Sequence, residues 1–302
     1  MSDIDLTSSA REGIQLSRLE RQLFERRAVT SGALTALTWG IAILGSIPLF
    51  SVIFMLVTEG GARLDLEAVT GLPPAGFEMG GGFGNAIAGT AVMVGIASLL
   101  AVPAGILIAV YLSEFSRGAR LAAIARFCIK TLTGMPSILA GVFAYAAVVL
   151  LTGGYSAVAG GAALAILMLP TIVLTAEESI RMVPQAAREA AFGIGCTPAQ
   201  VVWKVVLPMG RSGVLTGVML ATARAAGETA PLLFTALFSD YWLTQQGHLT
   251  LMEPTASLAV LIYNYAGMPF ENQVELAWAA SLVLVGMVMI SNAAGRLLSL
   301  GN

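Results

Sequence analysis

The chain has 302 residues, of which 57% are hydrophobic with glycine left out and only 11% are charged, for a formal net charge of −2. Ordinary soluble domains are about 45–50% apolar with glycine included and about 25% charged. Such a balance excludes a soluble globular domain; an integral membrane protein is expected, with lipid around it and no nucleic-acid partner.

Residues 1–32 are polar and charged and lack the short apolar core and small-residue cleavage site of a secretory leader. They are read either as an amphipathic surface helix around Ile14, Leu16, Leu19 and Leu23 or as a disordered tail. Crossing a bilayer takes about 20 apolar residues. Six stretches qualify: 33–57, 86–112, 132–151, 155–176, 213–238 and 276–298. Each must be a helix, because lipid offers no partner to an unpaired backbone amide. The expected fold is therefore all-α and polytopic, with six transmembrane helices forming one permease domain over 33–298 and residues 299–302 beyond it. Small residues abound in the spans, which suits close helix contact. The stretch 255–266 is too short to cross and reads as an interfacial or re-entrant helix.

Positive charges set the orientation. They gather in the tail (Arg11, Arg18, Arg21, Arg26, Arg27), after the second span (Arg117, Arg120, Arg126, Lys130), after the fourth (Arg181, Arg188, Lys204, Arg211) and at Arg296. Across the membrane stands only Arg63, and Arg224 falls inside a span. Both termini are expected on the cytoplasmic side of a bacterial inner membrane. Cys128 and Cys196 then lie in a reducing compartment, where a structural disulfide is not expected. His248 is the only histidine, so neither a His-rich metal centre nor a His-Glu-x-x-His enzyme is available, and it reads as a solvated loop residue. No Gly-x-x-x-x-Gly-Lys-Ser/Thr occurs, and the only lysines are Lys130 and Lys204. The chain has no P-loop to cradle ATP; it is expected to be non-catalytic and to bind no cofactor, leaving ATP and magnesium to another chain.

Between the fourth and fifth spans lies a punctuated polar segment, 184–208. Pro184 suits a first helical turn, and the Ala-rich run after it propagates a helix. Gly195 can take the left-handed conformation that ends it. Thr197, Pro198 and Gln200 form a capping box for a second short helix, which Val201, Val202, Val205 and Val206 continue until Pro208. From this pattern alone, a rigid coupling element and a loop that only shields helix ends are both open.

The fifth span carries Arg224 near its middle and Glu228 four residues on, on one helix face. An Arg at a span centre costs about 2.5–3.5 kcal/mol on insertion scales, so it must face protein, water or a counter-ion. One reading is an ion pair that glues helices. The other is a substrate path: a guanidinium fork matches the oxygens of an oxyanion, and Glu228 serves as counter-ion when none is bound. Gly227 allows close backbone approach, and Pro231 interrupts the hydrogen-bond ladder nearby, which together favour a local bend.

The run Glu189-Ala-Ala, three residues, Gly195, nine residues, Val205, any residue, Leu207-Pro208 resembles the EAA loop of ABC-importer permeases. Val205 stands where isoleucine is common in that family. The fifth-span run Leu220-Ala-Thr-Ala-Arg-Ala-Ala-Gly-Glu-Thr-Ala-Pro-Leu-Leu-Phe234 resembles the signature of the PstA family of phosphate-importer permeases. Thr133-Gly-Met-Pro-Ser-Ile138, Thr175-Ala-Glu-Glu-Ser-Ile-Arg-Met-Val-Pro184 and Leu258-Ala-Val-Leu-Ile-Tyr-Asn264 read the same way. The likeness covers roughly residues 86–298.

This resemblance implies a type I ABC importer permease (MetI-like) fold. It implies a high-affinity phosphate importer in which the chain forms half of the path. The partners would be a PstC-like sister permease, two copies of a PstB-like ATPase and a PstS-like extracytoplasmic phosphate-binding protein. It implies that Glu189, Ala190, Ala191, Gly195, Leu207 and Pro208 couple to the ATPase, and that Arg224 and Glu228, with Gly227 and Thr229 beside them, line the route of inorganic phosphate. Two alternatives are a permease for another oxyanion, such as sulfate or molybdate, and a secondary anion transporter using Glu228 as a proton site. The acidic outer loops, 59–85 and 240–275, are either solvated or a docking face for the binding protein.

Overall fold

A computed structural model of the chain describes residues 26–116, 120–245 and 248–300. Among these the helices are α1 (Arg26–Ala62), α2 (Leu66–Thr70), α3 (Gly84–Phe115), α4 (Arg120–Thr133), α5 (Ser137–Thr152), α6 (Ala157–Arg181), α7 (Gln185–Gly193), α8 (Pro198–Ala226), α9 (Ala230–Thr235), α10 (Leu258–Ala266) and α11 (Glu271–Leu300). A two-residue antiparallel ladder, β1 (Thr244–Gln245) with β2 (His248–Leu249), closes a loop between α9 and α10. The expected amphipathic helix around Ile14 lies outside the described residues.

Five helices are long and apolar enough to cross a membrane, and the bent pair α4–α5 makes a sixth if taken as one. The chain divides into two compact units, 1–55 and 56–302. The described part of the first unit is a single helix whose side chains are almost all exposed.

In the second unit α3, α6 and α8 pack on small residues, as membrane helices do when apolar burial alone gives no advantage over lipid. A methyl group added at Gly161 would stand 2.6 Å from Ile96, and one at Gly105 2.7 Å from Ile172. Gly213 and Gly217 of α8 leave room for Ser179 and Thr175 of α6, and Ser179 Oγ donates to the Gly210 carbonyl at 2.7 Å. The helix α8 buries Gly210, Val214, Gly217, Ala221 and Ala225 along this seam.

Two expected spans differ from the structure. The stretch 132–151 is not one helix: α4 and α5 meet at 109°. Met135 precedes Pro136, which pushes it out of the helical region, and Pro136 sits at the entry of α5 with ψ 133°. Leu132 and Thr133 therefore belong to the amphipathic α4. The stretch 213–238 is also divided. One helix runs from Pro198 straight through Pro208 to Ala226, and three residues, Gly227–Thr229, separate it from α9. Pro208 does not stop the helix because a π-turn over Val202–Val206 precedes it, with the Leu207 N–H reaching back to the Val202 carbonyl. Pro231 lies in the first turn of α9, where its missing N–H has no intrahelical partner to lose.

The short stretch near 255–266 forms α10, capped by Ser257 Oγ, which accepts from the Val260 N–H. Thr90 Oγ1 of α3 accepts from the Leu258 N–H at 2.9 Å, and Leu258, Leu261 and Tyr265 pack with Phe83 and Leu276. Burial pushes the Tyr265 hydroxyl well above its usual range. It stays neutral and donates to the Pro74 carbonyl.

Candidate functional site

Arg224 lies in the last turn of α8. Its Nε donates to Glu228 Oε1 at 3.1 Å, and Glu228 stands in the three-residue gap before α9. The guanidinium is 48% exposed and the carboxylate 16%. Gly227 closes α8 with φ −94°, and a methyl group there would meet nothing closer than the Arg224 carbonyl at 3.7 Å. It faces open space. The close approach in this region is at Gly141 of α5, where an added methyl would stand 2.6 Å from Pro231 Cα. Thr229 Oγ1 points to the Ala259 carbonyl of α10 at 3.5 Å, and the Thr229 carbonyl accepts from Leu232 and Leu233.

Beside its glycine seam, α8 is exposed at Ser212, Thr216, Leu220 and Arg224, spaced four apart. Two hydroxyl side chains thus share an open stripe with the guanidinium. The gap after Ala226 also leaves helix-end carbonyls near Arg224, whose partial negative charge favours a cation. Chemically, this is a positive fork with one counter-ion and one open side, able to exchange that carboxylate for an arriving oxyanion.

At the other end of α8, α7 packs only Arg188 and Ala191 into the protein. Glu189 and Ala190 are exposed, and so are Phe192 at 47% and Ile194 at 84%. Gly195 has φ +86°, its N–H bonds the Phe192 carbonyl, and the Cys196 N–H bonds the Ala191 carbonyl. That pair of bonds is a Schellman ending, which needs the left-handed residue. The capping box is complete: Thr197 Oγ1 accepts from the Gln200 N–H, and Gln200 Oε1 accepts from the Thr197 N–H at 2.9 Å. Val201, Val202 and Val206 bury this corner against Ala109, Leu112, Val173 and Ile180. Leu207 packs partly against the same cluster, and Pro208 is exposed. The corner is therefore a rigid body with an open, partly apolar outer face.

From Leu207 to Arg224 the helix rises about 25 Å at 1.5 Å per residue, so one unbroken element connects the two sites.

A charged cluster missed in the sequence underlies the corner. Glu177 of α6 is buried and accepts from Arg126 of α4 and from Arg181, each at 2.7 Å. Arg126 also donates to the Leu112 carbonyl at 2.6 Å. Arg188 is buried and donates to the carbonyls of Val183 and Ile180 and, at 2.9 Å, to Glu114 of α3. These arginines line a cavity of about 530 Å³. The sequence signal was a carboxylate, Glu114 or Glu177, at the edge of an apolar run; counting arginines only for orientation hid it.

Residues 101–300 match the family model described as "Binding-protein-dependent transport system inner membrane component". The chain is 35% identical to the phosphate transport system permease protein PstA of Yersinia pestis, over 99% of this chain and 98% of that one. It is 38% identical to the PstA protein of Haemophilus influenzae, over 91% and 95% of the two chains. Among solved structures it superposes on a chain of the inward-facing MetNI methionine ABC transporter with a TM-score of 0.55, at 18% identity, covering 71% of this chain and 91% of that one. A chain of a bacterial ABC transporter that imports the acidic polysaccharide alginate gives 0.53 at 15% identity, covering 92% and 98%. The structural likeness supports the MetI-like fold, and the sequence matches, which run nearly end to end, carry the family. The chain is a membrane protein of the PstA family of ABC-transporter permeases, the binding-protein-dependent inner membrane components.

Proposed function

We propose that this chain is one of the two membrane subunits of an ATP-driven importer of inorganic phosphate, lying in the inner membrane with both termini cytoplasmic. Arg224 is its anion-binding group on the path, Glu228 the resting counter-ion, and Gly227 and Thr229 the flexible gap that lets the pair open. The observation that carries this reading is a half-exposed guanidinium held by one carboxylate at a break in an otherwise apolar helix. The names of the relatives supply the substrate.

The face of α7 around Glu189, Ala190, Phe192 and Ile194 docks on a separate ATPase chain, with Ala191, Gly195, Leu207 and Pro208 holding it to the spans. A sister permease completes the path, two ATPase copies drive it, and an extracytoplasmic phosphate-binding protein loads it. Closure of the ATPase pair moves the corner, α8 carries the movement to Arg224, and the path opens outward. Hydrolysis reverses it. ATP chemistry stays with the partner chains.

Purification of the assembled transporter, with identification of its companions and of the anion that stimulates its ATP hydrolysis, tests this directly. Stimulation by phosphate and binding protein supports the reading. Stimulation by sulfate or molybdate alone, or purification without any ATPase, sinks it.

A further inference from the structure

The corner formed by α7 is covalently continuous with α6 and α8, but not with α3. Its link to α3 is the apolar packing of Val201, Val202 and Val206 around Ala109 and Leu112, plus one charged pair that fixes α7 itself. Arg188 is 6% exposed and Glu114 11% exposed, and Arg188 Nη2 donates to Glu114 Oε1 at 2.9 Å. The same guanidinium donates through Nη2 to the Ile180 carbonyl at 2.8 Å and through Nη1 to the Val183 carbonyl. Glu114 Oε1 is further held by Ser113 Oγ at 3.2 Å. One buried planar fork therefore joins the last turn of α3, the end of α6 and the first turns of α7. Because both side chains are largely buried, the pair is screened less than a surface pair.

Arg188 is the only charged residue that α7 buries. A docking helix held only by its backbone connections and Ala191 would be free to roll about its axis. A buried fork with one acceptor on α3, one on α6 and one in the linker between α6 and α7 stops that rotation. Resting on the reading of α7 as the ATPase-docking helix, we propose that Arg188 and Glu114 are positioning residues that transmit its displacement to α3. Loss of the pair uncouples ATP hydrolysis from transport without undocking the ATPase.

The test uses the whole transporter, purified with its ATPase chains and reconstituted with its binding protein and labelled inorganic phosphate. Glu114→Met removes the acceptor at similar length. The double variant Glu114→Met/Arg188→Met replaces the buried pair by apolar volume, a change that proteins often tolerate. The expected result is retained ATPase in both variants with at least a tenfold fall in phosphate imported per ATP hydrolysed. The two changes should be non-additive: the double variant should lose no more than Glu114→Met alone. A wild-type ratio in the double variant overturns the proposal, and so does a ratio lost in strict proportion to lost ATPase binding. If Glu114→Met fails to assemble, the double variant alone decides between these outcomes. Glu189→Lys serves as the separate control for docking. If it leaves the ATPase bound and uptake intact, the docking reading fails, whatever the Glu114 variants show.

Discussion

Arg224 Nε and Glu228 Oε1 meet at 3.1 Å across the point where α8 stops, so the pair bridges a helix end and not one of its turns. Four residues apart on a continuous helix, the two would be held at fixed spacing. Across Gly227 they can separate by rotation of two or three backbone bonds, which suits a counter-ion that must release its partner.

Arg224→Gln should reduce phosphate uptake at least 100-fold while leaving the ATPase associated. Arg224→Lys keeps the charge but loses the two-pronged donor geometry, and should retain a few per cent to a tenth of wild-type uptake. Initial rates of labelled phosphate entry measure both. Uptake at wild-type rate in Arg224→Gln would remove this residue from the path.

Glu189→Lys changes an exposed side chain with no internal hydrogen bond on α7 among the described contacts. Its effect on stability should lie within about 0.5 kcal/mol, as for most surface changes, yet the ATPase should be lost from pull-downs. A melting temperature matching wild type, alongside lost co-purification, separates docking from folding.

Gly195→Val places a β-branched residue at φ +86°, where the added Cβ meets no atom beyond its chain neighbours within 4 Å. The effect is therefore backbone strain alone, about 1–2 kcal/mol. Gly195→Asn, which tolerates that region better, should recover most of the loss. Detergent-solubilised melting curves of the two variants give the comparison, and equal melting temperatures would show that the left-handed corner is dispensable.

Gly141→Val drives a side chain into Pro231, whose Cα would stand 2.6 Å from the new Cβ. Overpacking of this kind costs about 1–3 kcal/mol, and here it separates α5 from α9. Lower yield and a lower melting temperature are expected, with α7 docking unaffected. Uptake should fall further than yield, because α9 borders the Glu228 gap.

Much of the fold was legible. The apolar runs near α1, α3, α6 and α11 stood out because lipid demands a long, uncharged helix. Gly195 and the Thr197–Gln200 box were readable because caps depend on a few adjacent residues. The breaks were harder. Hydropathy continues across Gly134–Pro136, so apolar length gave one span where the backbone makes two pieces, whereas Gly227 and Pro231 signalled a bend that the structure makes a three-residue break. Pro208 misled in the opposite direction, since a π-turn absorbs its missing N–H and the helix continues.

Arg188 stayed hidden for a different reason. Its partners are 74 and fewer residues away along the chain, and nothing local distinguishes a buried guanidinium from one facing water. Exposure of Phe192 and Ile194 was equally unreadable, because an apolar residue in a short helix is ordinarily expected inside.

By itself the sequence determined that the chain lives in a bilayer, where four of its spanning helices lie, and which two residues put charge in an apolar stretch. These are local or compositional matters, set by what lipid excludes and what a backbone turn allows. Only the tertiary structure decided that α8 runs unbroken from the corner to Arg224, and that Glu114 and Arg188 join α3 to α7. Those relationships depend on which side chains distant segments present to each other, and close packing on glycine, serine and threonine selects them.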